Sequence, residues 1–93
     1  MTSEQAEILT AEDLRLETVK DATVAKMNFE GAWSVFVEFS NGIVARLYPA
    51  DDHWTSFVGD KVLEIVHSNL GEFYFLRIKF YSGKIGLFQI RSF

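Results

Sequence analysis

Apolar and charged positions alternate along the C-terminal quarter of the chain. Glu72-Phe73-Tyr74-Phe75-Leu76-Arg77-Ile78-Lys79-Phe80 is dense in aromatic and β-branched residues, the types that fit a pleated, half-buried surface. Ser82-Gly83 interrupts the run and Ile85 to Ile90 resumes it, so residues 72–93 predict one long β-hairpin. A two-residue loop at Ser82-Gly83 sets Phe80 opposite Ile85, Ile78 opposite Leu87 and Leu76 opposite Gln89, which turns a nearly all-apolar face to the core. The other face then carries Phe75, Arg77, Lys79, Tyr81, Lys84 and Phe88.

A period of two also runs through the middle of the chain. Thr23 to Phe29 alternates, with Ala25, Met27 and Phe29 on one face. Ala32 to Ser40 is the clearest strand, with Trp33, Val35, Val37 and Phe39 pointing one way. Asn41-Gly42 between alternating runs predicts a two-residue primed turn into a strand over 43–48. Pro49 ends that strand, because it cannot donate to a ladder. Residues 61–67 fit helix or strand, and Val62, Ile65 and Val66 favour strand.

Helical signals are short. Thr10-Ala11-Glu12-Asp13 resembles a capping box with Asp in place of Glu, which predicts a short helix from about Ala11 that yields to a strand before Asp21. Asp51 or Asp52 can cap a helix over roughly 51–58, where Trp54, Phe57 and Val58 share a face and Gly59 closes it. Residues 1–9 read as a flexible acidic tail. The expected fold is α+β: a mostly antiparallel β-sheet of five or six strands with one or two short helices. A small all-β barrel or sandwich is the alternative if 51–58 is only a loop. Short turns require antiparallel neighbours, since parallel strands need long crossovers. Val37-Glu38-Phe39-Ser40-Asn41-Gly42 and Ile78-Lys79-Phe80-Tyr81-Ser82-Gly83 echo one another. Any two hairpins with charged solvent faces share that shape, and two copies do not establish a repeat.

Composition changes this picture in three ways. First, 93 residues without cysteine make one domain whose modest core has no disulfide or thiolate metal site to support it. With no secretory signal and no run of about 18 apolar residues, the expected location is cytoplasmic. Second, nine Phe, three Tyr and two Trp exceed what so small a core need hide, which points to a partner surface or to self-association as a homodimer. Third, the net charge of −4 is unevenly placed: residues 1–21 hold six acids against two bases, while the remainder balances. A nucleic-acid domain would show a net basic footprint.

Candidate chemistry is sparse. Asp51-Asp52-His53 is the one compact set of possible metal ligands, too few for a closed site, and His67 lies fourteen residues beyond. There is no Gly-x-Ser-x-Gly, cysteine nucleophile or phosphate loop. No catalytic residue, metal or cofactor is therefore assigned. The expected function is a small protein-interaction or regulatory module that acts by binding. Its expected partner surface is Phe75, Arg77, Lys79, Lys84 and Phe88, and its partner carries an acidic surface. The alternatives are a small enzyme with a pocket near Asp51, Asp52, His53 and Trp54, or a single-strand nucleic-acid binder on the C-terminal hairpin.

Overall fold

The computed structural model describes residues 8–30, 34–50, 56–71 and 73–90. In chain order the elements are β1 (Ile8–Thr10), α1 (Leu16–Val19), β2 (Val24–Glu30), β3 (Ser34–Phe39), β4 (Val44–Pro49), β5 (Val62–Leu70), β6 (Phe73–Phe80) and β7 (Ile85–Gln89). Six strands pair antiparallel in the order β2-β3-β4-β7-β6-β5, and β1 adds to β4 in parallel. The expected antiparallel sheet is present, with seven strands instead of five or six. The helical component among the described residues shrinks to the single turn of α1, so the domain is nearly all β. No described helix is long and apolar enough to cross a membrane.

The N-terminal signals resolve differently from the expectation. Ile8 and Leu9 belong to β1 and not to a tail. Asp13 N and Leu14 N donate to Thr10 O at 3.0 and 3.1 Å, and Thr10 Oγ1 donates to Asp13 Oδ2 at 3.2 Å. The expected capping box does not form; backbone bonds to Thr10 O and a bond between the two side chains close an isolated turn. Arg15 is extended, at φ −119 and ψ 153, and the helix starts only after it. Ala11, Leu14 and Val19 all reach the core from this irregular path. In the expected 51–58 helix, residues 51–55 lie outside the described residues. Residues 56–60 form a turn in which Phe57 is buried, Val58 is exposed and Gly59 has φ +92.

The sheet consists of two three-stranded meanders related as if by a local twofold between β4 and β7. Each pairing in β2-β3-β4 has a counterpart in β5-β6-β7. Val24 opposite Phe39, followed by a bulge and Lys26 opposite Glu38, matches Val62 opposite Phe80, followed by a bulge and Glu64 opposite Lys79. Where the two meanders meet at their far corner, the bonds are reciprocal. Val24 N donates to Asp60 O and Val62 N to Ala22 O, both at 2.9 Å. Gly59 N donates to Val24 O at 2.8 Å and Asp21 N to Val62 O at 3.3 Å. Asp21 and Gly59 are counterparts, and both have positive φ, 63 and 92. The echo between the hairpins is therefore structural, and more than the general likeness of charged hairpins.

Both hairpins turn through three residues. Phe39 N donates to Ile43 O at 2.8 Å and Gly42 N to Phe39 O at 2.9 Å; Phe80 N donates to Lys84 O at 3.0 Å and Gly83 N to Phe80 O at 2.9 Å. Gly42 and Gly83 alone in these loops have positive φ, 92 and 94. This is the bonding of a type I turn followed by a left-handed residue. It corrects the expected two-residue primed turn at Asn41-Gly42. Asn41 acts through its side chain instead: Nδ2 donates to Thr18 O at 2.8 Å and Oδ1 accepts from Ile43 N at 3.2 Å.

One face of the sheet, termed concave, holds the core, and the opposite face is termed convex. Val35, Val37 and Phe39 of β3, Ala45 and Leu47 of β4, Leu76, Ile78 and Phe80 of β6, and Phe88 of β7 are buried there. Leu14, Val19 and Phe57 cover them from the irregular segments, with Phe57 stacked on Phe80 at 4.7 Å. The bulges at Ala25 and Leu63 reset the alternation: Met27 and Phe29 share a face as expected, opposite Val37 and Val35, but Val24 joins it in place of Ala25. The convex face has no second layer among the described residues.

Candidate functional site

The candidate partner surface depends on the register of β6 against β7. Lys79 pairs with Ile85, Ile78 with Gly86, Arg77 with Leu87, Leu76 with Phe88 and Phe75 with Gln89. This is one residue away from the register that a two-residue loop imposes. Strand side chains alternate with a period of two, so the slip exchanges the faces of β7. Phe88 is a correction: it leaves the convex face and is buried, 4% exposed, opposite Leu76. Leu87 and Ile85, expected in the core, emerge 43% and 53% exposed.

Phe75, Arg77 and Lys79 do share the convex face, as expected. Phe75 is half-buried, while Arg77 and Lys79 are exposed. Leu87 and Ile85 flank them on β7; on β5, Ser68 lies opposite Phe75, Val66 opposite Arg77 and Glu64 opposite Lys79. Phe73, 67% exposed, extends the strip, its ring 6.5 Å from that of Phe75. The result is an apolar band of Phe73, Phe75, Val66, Leu87 and Ile85 with two cations along its middle. Among the described residues neither Arg77 nor Lys79 takes part in an ion pair.

The twofold-related face of the first meander is arranged differently. Arg46, the counterpart of Leu87, sits with its guanidinium carbon 4.7 Å from the Phe36 ring centre and Nη2 3.6 Å from Glu30 Oε1. Lys26 lies opposite Glu38. Arg46 there is paired and covers a ring, while Lys26 with Glu38 and their counterparts Glu64 with Lys79 are alike in facing one another without an ion pair among the described residues. The same backbone thus presents a paired arginine over a ring on one half and, at the counterpart position, an exposed leucine beside Arg77 on the other.

Lys84, the remaining expected site residue, belongs to the turn that fastens the sheet corner. Its Nζ lies 3.3 Å from Asp60 Oδ2 and 3.4 Å from Ser56 O. Asp60 Oδ2 is buried without an aligned hydrogen bond, so the charge of Lys84 is what compensates it. Beside it, Tyr81 Oη donates to Asp21 Oδ1 at 3.1 Å. That bond to a carboxylate, together with the negative charge itself, raises the Tyr81 pKa above the ordinary 10.0. Lys61 Nζ stands 5.8 Å from the Tyr81 ring centre. These residues serve the fold, and the structure does not bring Lys84 together with Arg77 and Lys79.

Asp51, Asp52, His53 and Trp54 lie outside the described residues. Among the described residues, no three His, Cys, Asp or Glu side chains gather into a possible metal site. One further constellation was not foreseen in sequence. Glu12, Arg15, His67, Tyr74 and Ile90 line a cleft of ≈ 410 Å³ where the concave face runs past the core. His67 reaches that face because the bulge at Leu63 shifts the alternation of β5. Its partner Arg15 is fifty-two positions away in the chain, so no local signal joins them. The chain matches no protein-family model, no curated protein and no solved structure.

Proposed function

We propose that the protein is a binding module whose partner surface is the convex face of β5-β6-β7. Its partner is a protein segment that combines acidic residues with an apolar side chain. The supporting observation is the contrast between the two meanders. Where the first half pairs Arg46 with Glu30 and lays its guanidinium over Phe36, the second, among the described residues, leaves Arg77 and Lys79 outside any ion pair, within a band of exposed Phe73, Ile85 and Leu87. Apolar surface removed from water contributes about 25 cal/mol per Å², so the band supplies affinity. The two cations steer an acidic partner and set its register.

The same charges favour an acidic partner over a second copy of this face. Two convex faces packed together would gather two Arg77 and two Lys79 side chains against two Glu64 carboxylates. Like charges placed together across an interface penalise the wrong partner. Two cations also make a short track for a nucleic-acid backbone. A peptide-display selection against the folded protein tests the reading. It should enrich peptides with Asp or Glu next to a bulky apolar residue, and Arg77→Glu with Lys79→Glu should abolish the enrichment. Enrichment of neutral peptides that survives the double substitution would reject it.

A further inference from the structure

The cleft at the end of the concave face is built from two sides. Tyr74 and Ile90 are neighbours across the β6-β7 ladder, with Ile90 N donating to Tyr74 O at 2.9 Å. They continue the face that carries Leu76 and Phe88 and supply an apolar wall. The opposite rim is the turn at 11–13 and Arg15. Arg15 Nη1 lies 3.0 Å from His67 Nε2 and 3.4 Å from His67 Nδ1, and Nε2 lies 3.1 Å from Ala11 O. Nε2 can donate to the Ala11 carbonyl or accept from the guanidinium, so a single tautomer satisfies one of these two contacts and not both. The imidazole and the guanidinium are in contact at the rim of the cleft.

Arg15 lies against the His67 ring, and among the described residues no carboxylate pairs with it. Glu12 lines the cleft and Glu17 is two positions on in the chain, yet neither forms an ion pair with it. A guanidinium offers five N–H donors in a planar fork that matches a carboxylate bidentately. His67 occupies one nitrogen of that fork and leaves donors directed elsewhere. A cleft of ≈ 410 Å³ falls in the size range of small-molecule sites, which are mainly apolar with a few polar groups that fix orientation.

We infer that this cleft binds a small organic carboxylate, with the carboxylate on Arg15 and the apolar body against Tyr74 and Ile90. It lies on the opposite face of the sheet from Arg77 and Lys79, so it stands or falls independently of the partner surface. Glu12 is the opposing charge at the rim and limits affinity for any anion.

Phenylacetate, phenylacetamide and inorganic phosphate titrated into the full chain, followed by amide NMR shifts, test the site. A ligand of about ten non-hydrogen atoms at about −0.3 kcal/mol per atom binds in the millimolar range. Phenylacetate should shift Ala11, Arg15, His67, Tyr74 and Ile90 saturably in that range. Phenylacetamide and phosphate should each bind about tenfold more weakly, one lacking the charge and the other the apolar body. Arg15→Gln should bring acid and amide to the same affinity, Glu12→Gln should tighten the acid, and Arg77→Glu with Lys79→Glu should change neither. If Arg15→Gln does not fold, Arg15→Lys, which keeps the charge and loses the fork, should still weaken the acid. Equal binding of acid and amide to the wild-type chain, no saturable shift, or indifference to the Arg15 substitutions would overturn the assignment. Phosphate binding as tightly as phenylacetate would overturn it in favour of a plain anion site.

Discussion

Leu76 faces Phe88 across the β6-β7 ladder, and that pairing decides which side of the sheet each hairpin residue occupies. It follows from one extra loop residue: Phe80 and Lys84 close the turn around Tyr81, Ser82 and Gly83. Substitutions on β7 should report the pairing directly. Phe88→Ala removes a ring packed in the core and should cost about 3–5 kcal/mol. Leu87→Ala on the convex face should stay within about 0.5 kcal/mol. Chemical denaturation of both variants checks this, and a reversed order would restore the two-residue loop.

The two hairpin glycines should be irreplaceable by β-branched residues. Nothing lies within 4 Å of a Cβ built on Gly42 or Gly83, and their φ values are 92 and 94. Space is therefore not the obstacle; the left-handed backbone is. Gly42→Val and Gly83→Val should each destabilise by more than about 1 kcal/mol. The twofold relation adds that the two costs should be similar, which thermal melts of the pair would show.

Lys84 should matter for stability and not for partner binding. Lys84→Ala leaves the buried Asp60 oxygen without its cation and should cost about 1–3 kcal/mol. Adding Asp60→Asn removes the stranded charge and should recover part of that loss. No recovery in the double variant would mean that the Lys84 stem, and not its charge, supports the corner.

Tyr81 should ionise above the ordinary tyrosine value. Its hydroxyl donates to Asp21, and the raised pKa has that bond as its first cause. A raised folded-state value means that the contribution of the bond is complete below pH 10.0 and is lost as pH climbs through the raised value. Ultraviolet titration, with Tyr81→Phe identifying the residue, should show the highest transition returning toward 10.0 in Asp21→Asn. An unchanged titration would place the hydroxyl outside the bond.

Much of the sheet was legible because alternation is a local signal. Val35, Val37 and Phe39 face the core as their spacing implies, and Arg77 and Lys79 share the convex face. Register was not legible, because Ser82-Gly83 and Asn41-Gly42 suit a two-residue or a three-residue loop, and only the position of the left-handed residue tells them apart. The bulges at Ala25 and Leu63 carry no glycine to mark them, so plain alternation put Ala25 in the place of Val24 and gave no face to His67. The signal at Thr10 marks a turn and not a helix start. Burial of Ala11 and Leu14 along an irregular path outweighed the propensity to continue as helix. The make-up of the convex face was half legible: Phe75, Arg77 and Lys79 lie on it as expected, and Ile85 and Leu87 take the place expected of Phe88.

The convex face is tested most directly by titrating one display-selected acidic peptide against the wild-type chain and against Arg77→Glu with Lys79→Glu, both checked for an unchanged fold. Removal of two steering cations and their replacement by acids should weaken binding by at least about a hundredfold at low salt, with the difference shrinking as salt is raised. The corresponding reversal on the other half, Arg46→Glu, should leave affinity unchanged. Equal affinity of wild-type and double variant, or loss of binding in Arg46→Glu alone, would contradict the assignment of the face.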